Sequence, residues 1–228
     1  MSTFIRRLKY YGIGFGLGVI IVFFFFGSRG CNWGPTARVK TSILERVLIV
    51  DSTNGVELKR RGVHPAELRK LIEDSDVDFS ESKKEEALKV YSFHNDKFNF
   101  LVSMPYESFI AEVNILKHDA NQFTTSSKGK GFFMHFPKDK DFLYVPENEL
   151  LRDQMKDMGF KDNNALFEAI KRKGFIDFSS SNFNVRPKSE HSIGFIDNKK
   201  RNIKAKAIWM KERIEVLSFT FDTISPRK

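Results

Sequence analysis

The stretch Asp78-Phe79-Ser80-Glu81-Ser82 returns almost unchanged ninety-nine residues later as Asp177-Phe178-Ser179-Ser180-Ser181. Each occurrence follows an apolar pattern of helical spacing and precedes three short runs of β type. Working outward, Val77-Asp78-Phe79-Ser80 aligns with Ile176-Asp177-Phe178-Ser179, and Gly62-Val63 aligns with Gly159-Phe160. Ala66 aligns with Ala165, Leu68 with Phe167 and Leu71 with Ile170. Size and polarity agree while charge drifts, the signature of an internal repeat kept for its core. The expectation is a tandem α+β body, repeat 1 over 36–118 and repeat 2 over 132–224. Each unit alone would bury only about 60–65% of its chain surface, so the two should pack together. Within the shared stretch the Phe is expected to anchor the core, and the Asp and Ser side chains to bond nearby amides.

Local signals fill in the order of elements. In repeat 1, Thr36 can cap a short helix, and Val47 to Val50 reads as a strand. A helix through Leu58 to Arg61 breaks at Gly62, and Pro65 starts another with Leu68, Leu71 and Ile72 on its buried face. Strands follow at Lys89–Phe93, Phe98–Met104 and Phe109–Leu116. The polar segment 119–131 reads as a flexible linker. Its Lys128-Gly129-Lys130-Gly131 lacks the ending of a phosphate loop. In repeat 2, Phe132–Phe136 and Phe142–Val145 suggest a hairpin around Pro137. Helices follow at Leu150–Met158 and after Asp162, then strands at Ser192–Ile196, Ile203–Met210 and Ile214–Phe221.

Ahead of this body the chain is strongly apolar. Tyr10 to Phe26 carries no charge and ends in Ile20-Ile21-Val22-Phe23-Phe24-Phe25-Phe26. Eighteen helical residues reach about 27 Å, enough for a thin bilayer core. Residues 10–27 are therefore expected to form a transmembrane anchor behind a cytoplasmic tail, 1–9. Arg6, Arg7 and Lys9 favour an inner-membrane, single-pass protein with its C-terminal body in the periplasm. Gly12, Gly14, Gly16 and Gly18 repeat at the spacing that lets membrane helices pair, which would give a homodimer. Cys31, the single cysteine, opens a lipoprotein alternative with lipid on its sulfur, and leaves no intramolecular disulfide.

Of the formal net charge of +9, residues 36–118 carry 13 basic and 14 acidic groups, whereas 119–228 carry 21 and 15. The second repeat is thus the basic one. Its densest feature is Asn198-Lys199-Lys200-Arg201-Asn202 with Lys204 and Lys206, a candidate surface for an anionic partner. Alternation puts Lys204 and Lys206 on one face and Ile203, Ala205 and Ala207 on the other. His64, His94, His118, His135 and His191 have no His or Cys neighbour at metal-ligand spacing. Ser80-Glu81-Ser82-Lys83 fits a nucleophile pattern only formally, and no G-x-S-x-G occurs. No catalytic, metal or cofactor residues are assigned, and enzyme activity is left open, leaning towards none.

Arg61-Gly62-Val63, followed by Pro65-Ala66-Glu67-Leu68 and a helix leading into strands, resembles a small bacterial family. It is domain of unknown function four-two-five-eight, with the pattern His-Ala-x-x-Arg-Met-x-x-Arg-Gly-Ile. The resemblance covers about residues 43–116 and implies a helix-on-antiparallel-sheet shape similar to RelE-like ribonuclease toxins. An aromatic-rich anchor with a Cys just after it also resembles uncharacterised membrane-anchored proteins of Bacteroidota. Arg61, Gly62, Val63 and Leu58 stand at the second Arg, the Gly, the Ile and the Met of the pattern. Thr53 stands at the His and Glu57 at the first Arg, while repeat 2 places Leu150, Gln154 and Met158 at the His and the two Arg positions. A nuclease role resting on those side chains would be lost in both repeats. The function expected is a non-catalytic envelope binding or scaffold module, its partners the bilayer and an envelope protein. The alternatives are a cytoplasm-facing RNA-binding domain of toxin type, with nucleic acid the less favoured partner, and an envelope hydrolase.

Overall fold

The computed structural model describes residues 2–26, 34–85, 87–96 and 98–221, with side chains from residue 4 and not those of 23–26. Cys31, the last residue of the expected anchor and the end of repeat 2 lie outside the described residues. The chain divides into two units, 1–39 and 40–228. The first holds helix α1, Ser2–Phe26, whose described apolar side chains, among them Phe4, Ile13, Phe15 and Ile20, are exposed. Among the described residues no helix is long and apolar enough to cross a membrane. Arg6, Arg7 and Lys9 occupy the early turns of α1, and four glycines dilute its middle.

The second unit is α+β. After α2 (Pro35–Leu44), which straddles the boundary, come β1 (Val47–Asp51), α3 (Ser52–Arg60) and α4 (Pro65–Asp74). Then follow β2 (Asp76–Lys84), β3 (Leu88–His94), β4 (Asn99–Pro105) and β5 (Ile110–Asn114). The chain continues with β6 (Lys130–His135), β7 (Leu143–Tyr144), α5 (Glu149–Asp157) and α6 (Asn163–Lys173). It closes with β8 (Phe175–Asp177), a 3₁₀ turn (Phe178–Ser180), β9 (His191–Ile196), β10 (Asn202–Met210) and β11 (Arg213–Phe221). The strands form one mixed sheet in the order β2-β3-β4-β5-β1-β6-β8-β9-β10-β11-β7. β1 lies parallel to β5, and β7 lies parallel to β11. β6 runs antiparallel to both β1 and β8 and joins the halves.

The helix ends are written in the sequence. Asp51 Oδ1 accepts the amide of Asn54 at 2.7 Å to start α3, and Gly62 closes it at φ +74°. Asn148 and Asp162 accept from Leu150 and Ala165 to start α5 and α6, and Gly159 closes α5 at φ +82°. Both glycines sit where a Cβ would strain the backbone.

The repeated stretch builds one hydrogen-bonded device twice. In the first half the Asp78 carboxylate accepts from the amide of Ser80 at 2.7 Å. Ser82 Oγ donates to the Asp78 carbonyl and accepts the amide of Ser92 on the facing strand at 3.0 Å. In the second half Asp177 accepts from Ser179 at 3.1 Å. Ser181 Oγ donates to the Asp177 carbonyl at 2.7 Å and accepts the amide of Ser192 at 2.9 Å. The hydroxyl takes the place of a backbone ladder partner where the pairing breaks, between Asp78 and Lys83 in the first half. The Phe anchors unequally: Phe178 is 2% exposed, while Phe79 is half-buried beneath Lys84.

Two sequence expectations need correction. Phe132–Phe136 and Phe142–Val145 do not pair as a hairpin. Phe142 accepts from Ile214 at 2.7 Å and β7 pairs with β11, leaving both edges of β6 to β1 and β8. The 119–131 segment is not a free tether either, because Ala120 and Phe123 are buried against Val90 and Leu101. The expected packing of the halves is present: one core cluster unites Val47, Ile49, Phe109 and Ile110 with Phe178, Ile193 and Ile203.

Candidate functional sites

The basic segment foreseen in the sequence is a tight turn between β9 and β10, with Lys200 at φ +63°. Asp197 organises it, its Oδ1 accepting the amides of Lys199 and Arg201 at 2.9 and 2.8 Å. Lys199 reaches Asp157 at 2.7 Å, and Arg201 bridges Asp157 and Asp197 at 2.8 and 2.7 Å. Those contacts, from Lys199 and then Arg201, hold the Asp157 carboxyl below its usual range. Lys204 meets Asp177 at 2.8 Å and Lys206 meets Glu190 at 2.6 Å. The alternation read from sequence holds: Ile203, Ala205 and Ala207 are buried while the lysines face out. Four of the five cations are therefore matched by carboxylates inside the fold, which mutes their field.

Arg61 and Glu57, two of the residues aligned with the pattern of the resembled family, are likewise satisfied locally, whereas the buried Gln154 Oε1 finds no partner among the described residues. Arg61 turns back to Glu57 at 2.8 Å and lies 4.8 Å from the Phe98 ring centre. Glu57, hydrogen-bonded by Arg60 and Arg61, is lowered to about 2. The two positions form an ion pair on one helix face. Thr53 and Leu150 are exposed, and Met158 is buried. The formal nucleophile pattern is spent too, since Ser80 Oγ donates to Asp78 and Lys83 pairs with Glu85.

Sequence reasoning missed two sealed polar groups. Glu112, on β5, is fully buried and receives the amide and hydroxyl of Ser126. Burial pushes its carboxyl up to about 7, although the Ser126 hydrogen bonds oppose the rise. Asp51 adds to the rise and Lys117 counters it. Ser103, opposite it on β4, keeps a buried hydroxyl with no hydrogen-bond partner among the described residues. In the second half His191 Nε2 lies 2.7 Å from Ser108 Oγ, tying residues 83 apart across the halves. The imidazole packs 4.0 Å from the Phe109 ring. Burial drives its pKa down to about 3. Its Nδ1 has no hydrogen bond of normal geometry, although the Ala207 and Ser189 carbonyls favour the protonated form in part. A charged residue flanked by Ile, Ala and Val in a strand was the available signal for Glu112; nothing local marked His191.

The open concavities are lined differently. A cleft of about 410 Å³ between the halves presents Thr124, Thr125, Ser127, Asn182, Asn184 and Phe183. A shallower hollow of about 320 Å³ gathers His135, Arg69, Lys171 and Asp139. Burial, then the Arg69 cation, lowers the pKa of His135. Among the described residues no cluster of His, Cys, Asp and Glu could hold a metal ion. No family model, curated protein or solved structure matches this chain.

Proposed function

We propose that the protein is a membrane-tethered binding module of the cell envelope whose body arose by duplication and which works without catalysis. The observation that carries this reading is where the reactive groups lie. Glu112 and His191, whose protonation burial displaces, are sealed from solvent. The inter-half cleft instead offers hydroxyls, amides and a phenylalanine, groups that recognise without reacting. Duplication is supported by the matched devices at Asp78 and Asp177. It is also supported by the common order of strand, two helices and further strands that starts at β1 and again at β7, each of those two strands lying parallel to the last strand of its half, β5 and β11. The tether is supported by the uncharged run from Tyr10 to Phe26, and Arg6, Arg7 and Lys9 argue for an exported body. Lipid on Cys31 would serve the same end by another route.

A C-terminal alkaline phosphatase fusion on the full chain tests export. Phosphatase activity in the membrane fraction is expected, and an inactive fusion beside a bright cytoplasmic fluorophore would overturn the reading. The hollow of His135, Arg69 and Lys171 favours one second reading, a cytoplasm-facing RNA-binding domain of toxin type. That reading requires salt-dependent RNA retention on filters, weakened when Arg69 and Lys171 are neutralised.

A further inference from the structure

The outer face of β6, β8, β9 and β10 is built as a row of directly opposed residues. Phe132 faces Phe175, Phe175 faces Gly194, and Gly194 faces Lys204. Two residues along, on the same face, Lys130 faces Asp177. The other face of these strands carries Ile176, Ile193, Phe195, Ile203 and Ala205, all in the core. Gly194 makes the outer face concave. A Cβ there would stand 2.4 Å from Phe175 Cζ, so the ring lies directly on the β9 backbone.

Above this floor is a groove of about 630 Å³. Its walls combine two chemistries. Phe132 and Ile196, both in the lining, are 42% and 43% exposed and give the groove an apolar wall. Lys130, Lys173 and Lys204 enter from three different elements. The Lys130 ammonium sits 4.2 Å from the Phe175 ring centre. Among the described residues no carboxylate lies within ion-pair distance of Lys130 or Lys173. Asp177 is the one acid in the lining, and it is already engaged by Lys204 and by the amides of Ser179 and Ser180. Three cations against one committed carboxylate leave the groove positive, whereas the nearby 199–206 turn is nearly balanced.

We propose that this groove binds an acidic phospholipid, the phosphate oxygens held by Lys130 and Lys173 with Lys204 behind them, and the first acyl carbons laid against Phe132, Phe175 and Ile196. A wholly polar anion would leave the apolar wall wet, and a neutral lipid would leave two ammonium groups without a counter-charge. The combination selects an anionic amphiphile. The inference rests on the membrane-tethered reading only for the source of the lipid. Its test therefore uses lipid supplied in solution.

Native mass spectrometry of the full chain, released from a nonionic detergent and given equal dihexanoyl phosphatidylglycerol and phosphatidylcholine, counts the retained lipid. Phosphatidylglycerol adducts should exceed phosphatidylcholine adducts at least about ten-fold, and each of K130Q and K173Q should cut the excess roughly five-fold. K211Q, in the exposed turn between β10 and β11, should leave it unchanged. F132A should weaken lipid retention and leave the binding of inorganic phosphate alone unaltered. Equal retention of the two lipids by the unaltered chain would overturn the proposal without recourse to any variant. So would an excess that survives K130Q and K173Q together, or displacement on equal terms by inorganic phosphate or a poly-glutamate peptide. A lipid preference found in a chain that fails the phosphatase test would sink the tether and leave the groove standing.

Discussion

The bulge within β2, between Asp78 and Lys83, and the turn after β8 use the same Asp and Ser hydrogen bonds yet differ in what the intervening Phe does. Phe178 is driven into the core because Gly131 on β6 leaves it room: a Cβ there would stand 2.8 Å from the ring. Phe79 has no such neighbour, because β2 is the outermost strand of the sheet, and its ring is covered by the Lys84 ammonium at 5.0 Å. The backbone device is thus portable, while the aromatic anchor is a property of position in the sheet. Edge and interior ask different things of one sequence.

The largest contrast should come from truncating those rings. Phe178→Ala is expected to cost about 3–5 kcal/mol, as for other fully buried aromatics. Phe79→Ala should cost under ~1 kcal/mol, and equal losses in urea melts would erase the distinction between edge and interior.

The halves should also answer pH in opposite senses. His191 has its folded pKa depressed from 6.5 to about 3, so its contribution is complete above 6.5 and lost as pH falls towards 3. Burial of this order corresponds to several kcal/mol, and H191Q should flatten the acid limb of a stability–pH curve. Glu112 has its folded pKa raised from 4.5 to about 7, so its contribution is complete below 4.5 and lost as pH rises to 7. E112Q should remove the decline between pH 4.5 and 7, roughly 3 kcal/mol over the window. An E112Q protein that still loses stability across it would assign the decline elsewhere.

The serines should behave alike. Ser82→Ala and Ser181→Ala each leave a strand amide and a carbonyl short of a partner, costing about 1–2 kcal/mol. A two-fold disparity would break the equivalence of the two devices. Smallest of all, D157N should barely move the thermal midpoint, because its partners Lys199 and Arg201 are solvated.

What the sequence made legible was local. Gly62 and Gly159 declared helix ends, Asp162 a helix start, and the alternation of Ile203 to Ala207 a strand with its faces assigned. The Asp of the repeated stretch declared its own amide bonds. What stayed hidden depends on partners far along the chain. β6 and β7 look like a hairpin because both are short, aromatic and separated by Pro137; only the competing edges of β1, β8 and β11 decide otherwise. Residues 119–131 look like a linker because their composition is polar, yet two apolar residues, Ala120 and Phe123, suffice to dock them. The basic turn was visible as charge, but its neutralisation comes from Asp157, more than forty residues away. Likewise the lipid groove needs Lys130, Lys173 and Lys204 together, and no window of sequence contains all three.

β6 carries a further implication. It lends one edge to β1 and the other to β8, so each side is completed by a strand the other also needs. A chain severed in 115–129 would leave one fragment with a bare β1 edge and the other still holding β6. The fragments should therefore reassociate rather than behave as independent proteins, and unfolding of the intact body should register as a single transition.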